Sequence, residues 1–251
     1  MIVYEFPFNE SMRAWLRLEQ LFVRLDTMRS RDDGLDHHVA LATLFEVLEV
    51  AGRSELKSEL LQEIDRHRRQ LNALRGNPAV AAPVLEQTLA ELDRCSTLLN
   101  EVQGKIGAAL AGHEWLAGVR SRLAIPGGSC SFDLPAYHAW LQGHPAKRRA
   151  DLATWAGTLQ PWSRAIAVVL GLVRGNGSSQ AYVATGGRFQ HSLTSTRPAL
   201  LARLTLANAG PWVPEISGNR LLLVVRMLHT DDTLRLEPAR DDVPFQLTLC
   251  H

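Results

Sequence analysis

The chain has 251 residues, 46% of them hydrophobic and 21% charged, with a formal net charge of +1. This composition can bury a sizeable core and excludes global disorder. The most apolar run, Ala165 to Val173, ends at Arg174 and falls far short of the ~18 residues a membrane span needs. The opening MIVYEFPFNESMR lacks the basic start of a signal peptide. Cys95, Cys130 and Cys250 are far apart and odd in number, so no zinc site or disulfide framework follows from their spacing, and reduced thiols and a cytoplasmic setting are expected.

Asn9 is placed to cap a helix over Glu10 to Thr27, with Met12, Trp15, Leu18, Phe22 and Leu25 on one face. A second helix is expected over Asp36 to Val50, with Gly52 as a left-handed stop. Ser54 then opens a long helix to Arg75, striped by Leu56, Leu60, Ile64, His67, Leu71 and Leu74. After the break at Gly76-Asn77-Pro78, Leu85, Leu89, Leu92, Ser96, Leu99, Val102 and Ile106 repeat the rhythm. Two narrow stripes joined by a turn predict an antiparallel helix pair, with His67 and Ser96 as core polar residues and the charged outer faces in water.

From Trp115 the texture changes. Leu123-Ala124-Ile125 looks β-prone, Pro126-Gly127-Gly128-Ser129 turns, and Cys130-Ser131-Phe132 reads as a short strand. Pro135 starts a small helix through Leu141, and helical pattern returns over Lys147 to Gln160 and Trp162 to Arg174. Strands are expected at Gln180–Ala184, Phe189–Leu193, Leu200–Leu206, Arg220–Met227 and Phe245–Cys250, with Leu221 to Val225 central in a sheet. The fold class is α+β: a helical domain of residues 1–113 with 146–174, and a smaller antiparallel β-strand domain of 114–145 with 175–251.

Between Trp115 and Pro214 stand ten basic residues and two acidic ones, a local charge of +8. Such a field attracts an anionic partner. A nucleic-acid-binding module is one reading, although no RNA- or DNA-binding signature accompanies the charge. The glycines at 127 and 128 are not followed by the Lys-Ser/Thr of a phosphate loop. Cys130 and His138 form an imaginable hydrolase dyad without a nominated orienting acid, and the His37-His38 doublet does not share a helix face for a metal. Asp231-Asp232 and Asp241-Asp242 read as turn residues. No enzyme, metal site or cofactor is expected.

Several blocks resemble one family: FPFNESMRAWLRLE at Phe6 to Glu19, LLQEIDRHRRQL in the first long helix, PWSRAIAVVLGLVR, PEISGNRLLLVVRM, and above all RLAIPGGSCSFDLPAYHAWL at Arg122 to Leu141. Together they are similar to the Z-ring-associated protein D family, the bacterial ZapD division factors. The resemblance implies a cytoplasmic, non-enzymatic homodimer, recruited to the division site at mid-cell. It would bind the C-terminal tail of FtsZ and bundle FtsZ filaments in support of septation. It implies no nucleic acid and no membrane insertion. Arg17 and His138 match basic positions the family uses for the tail. A further family arginine falls here on Glu114 or His113, depending on register. The local charge adds Arg13, Arg120 and Arg122 as candidate tail contacts, since a guanidinium can fork onto a carboxylate and stack on tryptophan. The helical pair at 54–106 is the expected dimer surface.

Overall fold

A computed structural model describes residues 1–52, 55–193, 198–207 and 211–251. The chain divides into two units, residues 1–13 with 170–251 and residues 14–169. Both boundaries fall inside helices, α1 (Glu10–Arg29) and α8 (Gln160–Gly175). This differs from the expected division: residues 114–145, grouped above with the strands, lie in the helical unit.

In the helical unit, α1 buries Trp15, Leu18, Phe22 and Leu25, as their spacing requires. α2 (Gly34–Gly52) is apolar round most of its circumference and buries Ala40, Leu41, Leu44 and Val47. Gly52 is its last residue but is not among the glycines with positive φ, so the expected left-handed stop is absent. Ser54, the expected cap of the next helix, lies outside the described residues.

α3 (Leu56–Asn72) and α4 (Ala82–Glu101) form the helix pair. Lys57 Nζ donates to Val102 O at 2.8 Å, Arg68 meets Asp93 at 3.4 Å and Arg75 meets Glu86 at 2.7 Å. The start of α3 thus meets the end of α4, which fixes the antiparallel sense. Leu56, Leu60, Ile64 and His67 are buried on one helix, and Leu85, Leu89, Leu92, Cys95 and Leu99 on the other. The α4 stripe therefore passes through Cys95, whereas Ser96 is only half-buried. Leu74 lies beyond the end of α3 and is exposed, because the chain turns there through Gly76 with φ 81°.

Three short helices follow: α5 (Glu114–Leu123), α6 (Pro135–Gln142) and α7 (Pro145–Gly157). α5 replaces the β-prone reading at Leu123. Cys130-Ser131-Phe132 forms turns, not a strand, because Cys130 O accepts the amides of both Asp133 and Leu134. Histidine side chains cap two of these helices: His113 Nδ1 accepts from Leu116 N at 3.4 Å, and His144 Nδ1 from Ala146 N at 3.3 Å.

The other unit is a pair of facing antiparallel sheets. One has the order β1 (Ile2–Pro7), β4 (Leu201–Leu206), β8 (Val243–Cys250), β2 (Gly177–Ala184). The second runs β3 (Arg188–Ser192), β6 (Leu222–Thr230), β5 (Trp212–Gly218), with β7 (Leu236–Pro238) also pairing β6. Leu204, Leu206, Phe245 and Leu247 from the first sheet and Leu223, Val225 and Met227 from the second share one core. β6 is central, as its apolar run implies. On the outer face of β4, Arg203 and Arg174 both donate to Glu5, at 3.0 and 2.8 Å. Asn9 caps α1 as expected, accepting from Met12 N at 2.7 Å.

Candidate functional site

An aromatic cluster ties α6, which carries His138, to α5 and α7. Trp115 on α5 stacks on Trp155 of α7 at 5.4 Å, and Tyr137 stacks on Trp140 within α6 at 5.9 Å. Trp115 also meets Tyr137 and Trp140, at 6.1 and 5.5 Å. Two polar edges of the cluster are hydrogen-bonded: Trp140 Nε1 donates to Asp151 at 3.0 Å, and the Tyr137 hydroxyl lies 2.6 Å from His38 Nδ1. Burial pushes the Tyr137 phenol well above its usual range and lowers the proton affinity of His38. Tyr137 is therefore the donor in that bond.

Arg148 locks α7 to the chain that precedes it. It is 4% exposed, and no carboxylate neutralises it by direct contact among the described residues. Its guanidinium donates to His37 Nδ1 at 2.8 Å, Leu141 O at 2.7 Å, Asp32 O at 2.7 Å, and Gly143 O. A buried cation must be fully hydrogen-bonded, and this one is held by carbonyl dipoles and one neutral imidazole. The histidine doublet is thus consumed by packing contacts.

The link from α5 to α6 is a run of consecutive turns. Ile125 N bonds to Arg122 O, Gly128 N to Ile125 O, Cys130 N to Gly127 O, and Leu134 N to Cys130 O. Gly127 takes φ 73°, and a Cβ on Gly128 would collide with the Arg122 carbonyl. The glycine pair of the family-like block therefore serves this turn geometry. The link leaves Phe132 81% exposed and delivers Pro135 to the first turn of α6.

The sequence-predicted residues fall on three elements. Arg13 and Arg17 stand one helical turn apart on α1, on either side of the unit boundary; Arg13 pairs with Glu10 at 3.2 Å and Arg17 is exposed. Arg120 and Arg122 are exposed on α5, and their two-residue spacing points them to different faces. His138 is exposed on α6, next to the buried Tyr137. Arg17, Arg120, Arg122 and His138 make no side-chain hydrogen bond or ion pair with a described residue. Glu114, one of the two positions named above together with His113, is exposed in the first turn of α5. Cys130 and His138 are both exposed and make no hydrogen bond to each other among the described residues.

The basic stretch is less open than its count suggests. Six of its ten cations are engaged within the fold. Lys147 meets Asp151, Arg149 meets Asp32, Arg164 meets Glu91, Arg174 and Arg203 share Glu5, and Arg148 is buried. Arg197 lies outside the described residues. Sequence reasoning also passed over Lys105, which shares a groove of about 920 Å³ with Arg120. Lying before Trp115, it fell outside the basic window.

Comparison with known proteins places the whole arrangement. The family model described as "ZapD: Cell division protein" matches residues 16–226. The protein called cell division protein ZapD in Ralstonia pickettii is 48% identical over 252 aligned positions, covering all of both chains. Its namesake in Ralstonia nicotianae is 47% identical over 253 positions, again covering all of both. The two sheets, the helix pair and the turn-linked α5–α6 segment are therefore those of a chain that belongs to the ZapD cell division protein family.

Proposed function

We propose that this protein binds the C-terminal tail of FtsZ and, as a homodimer, cross-links FtsZ filaments in support of Z-ring assembly. In this reading it is a cytoplasmic protein recruited to mid-cell, and it uses neither catalysis nor a cofactor. The observation that carries it is the state of the cations. Four arginines of the basic stretch, Arg149, Arg164, Arg174 and Arg203, are spent on internal carboxylates, while Arg17, Arg120, Arg122 and His138 stand exposed without a described partner. Such groups are available to the carboxylates of a peptide at little desolvation cost. Arg13, already paired to Glu10, would exchange one carboxylate for another.

Bivalency supplies the rest. A dimer carries two tail sites, and once one is filled the second tail binds at an effective concentration set by geometry, so weak contacts sum to a firm cross-link. The helix pair is the surface proposed for dimerisation, its outer faces being left over once α3 and α4 have packed their stripes together. The test is light scattering and pelleting of polymerised FtsZ. Wild-type protein should bundle full-length FtsZ and leave tail-less FtsZ as single filaments. Arg17→Glu should bundle poorly while keeping its circular dichroism spectrum. Equal bundling of tail-less FtsZ would overturn the proposal.

A further inference from the structure

The groove that contains Arg120 has a composition the charge argument does not explain. One wall is α2, through Phe45 and Leu48, and the other is α5, through Leu116 and Leu123. Ile106 and Leu110 close it from the segment between α4 and α5. That segment can lie against α2 because Gly107 adopts φ 78° and has no Cβ; one would collide with Leu48 Cδ2. The volume, about 920 Å³, is in the range of sites that enclose a small ligand or a few side chains.

Charge on the lip is asymmetric in availability. Lys105 and Arg120 have no ion pair or side-chain hydrogen bond with a described residue. The acids opposite are occupied: Glu46 is bound to Arg24, and Glu49 is also engaged. An occupant therefore finds an apolar floor and two unspent cations. A wholly apolar occupant would cover Arg120 without a counter-charge, which is costly. A polyphosphate backbone would use the cations but gain nothing from Phe45, Leu48 and Leu123. The chemistry that uses both is a short peptide with apolar side chains next to carboxylates.

We propose that this groove is the subsite that takes the apolar side chains of the bound tail, with Lys105 and Arg120 receiving its carboxylates. The inference rests on the tail-binding reading above and adds to it a location and a hydrophobic component. Affinity should then depend on apolar residues of the peptide as much as on its acids, since a few buried anchors dominate most peptide interfaces.

Fluorescence anisotropy of a labelled FtsZ tail peptide, titrated with the full chain, tests it. Ala117 lines the groove and is exposed, so Ala117→Trp fills the space without entering the core. Lys105→Glu, at another exposed position, reverses a lip charge. Each should weaken binding by about ten-fold or more, the effect of losing one anchor contact. Ala79→Trp, at the exposed turn between α3 and α4, should leave binding unchanged. If the wild type does not bind the peptide, the tail-binding reading itself fails. If the wild type binds and both groove variants bind equally well, the groove assignment alone fails. Should Ala117→Trp abolish a dimer in sedimentation while peptide affinity per chain is retained, the groove belongs to a second copy and the proposal is overturned. Circular dichroism melts establish that the variants are folded, and Lys105→Glu decides the question if the tryptophan variant is not.

Discussion

With His37 Nδ1 accepting from Arg148, the imidazole proton must sit on Nε2, where the Arg31 carbonyl receives it at 2.6 Å. Protonating Nδ1 would set two cations against each other. Burial is the main cause that lowers the proton affinity of His37, and Arg148 adds to it; the Arg31 carbonyl, Asp36 and Asp33 act the other way. His38 is lowered by burial. Both therefore bind protons more readily in the unfolded chain, whose histidines titrate near 6.5. Their contribution to stability is complete above that pH and is lost as pH falls from there toward the lower folded values. Urea midpoints should decline between about pH 7 and pH 5.5, and His37→Gln, which keeps an acceptor and a donor without titrating, should flatten that decline. Arg148→Met removes the donor to the buried His37 Nδ1 and to three part-buried carbonyls and should cost about 1–3 kcal/mol in urea unfolding. Arg148 was visible in the sequence only as one more cation of a basic run. Its burial depends on acceptors as far off as Asp32, which no local pattern can show.

Among the elements, those with long amphipathic repeats were legible and those defined by remote partners were not. The spacing of leucines placed α1 to α3 within a few residues, whereas α4 stops at Glu101, where Val102 turns to extended backbone, so the expected stripe residues Val102 and Ile106 lie beyond the helix; the apolar run at Leu221 to Val225 marked the central strand. β1 went unread because its partner β4 lies some two hundred positions away, Ile2 opposite Leu206. β5 was masked by Pro214, tolerated because β5 has a ladder partner only in β6 on the main path of its sheet. α5 is short, contains Gly118 and is capped by a histidine, so neither its periodicity nor its cap announced it. The same logic ranks substitutions in the helix pair. Leu92→Ala, at a fully buried stripe position, should lower unfolding stability by about 2–5 kcal/mol. Arg75→Ala breaks an exposed ion pair with Glu86 and should leave the melting temperature within experimental scatter.

For the whole molecule, the net charge of the basic stretch overstated its reach. Arg174 and Arg203 are neutralised by Glu5 at the chain start, Arg164 by Glu91, and Arg149 by Asp32, all outside the window in which the +8 was counted. What remains for a partner is a small set of exposed groups, so ionic strength should matter steeply but not as for a polyelectrolyte binder. Under the proposed function, bundling of FtsZ should weaken progressively as salt rises from about 0.05 to 0.3 M, while Arg122→Glu should shift the whole curve to lower salt. The family relationship could be read from the block around Arg122 to Leu141, and the structure gives that block a physical reason in its turns, its glycine contacts and its aromatic anchoring.

The placement of the three thiols has a practical corollary. Cys95 is sealed between α3 and α4, its thiol pushed up to about 11 mainly by burial, and Cys250 is enclosed in the sandwich with its thiol also raised. Cys130 alone among them faces solvent. A maleimide or nitroxide reagent applied to the unmodified chain will therefore attach once, on the link between α5 and α6. In the proposed homodimer, a dipolar measurement between two such tags would report the separation of the two subunits with no engineered cysteine.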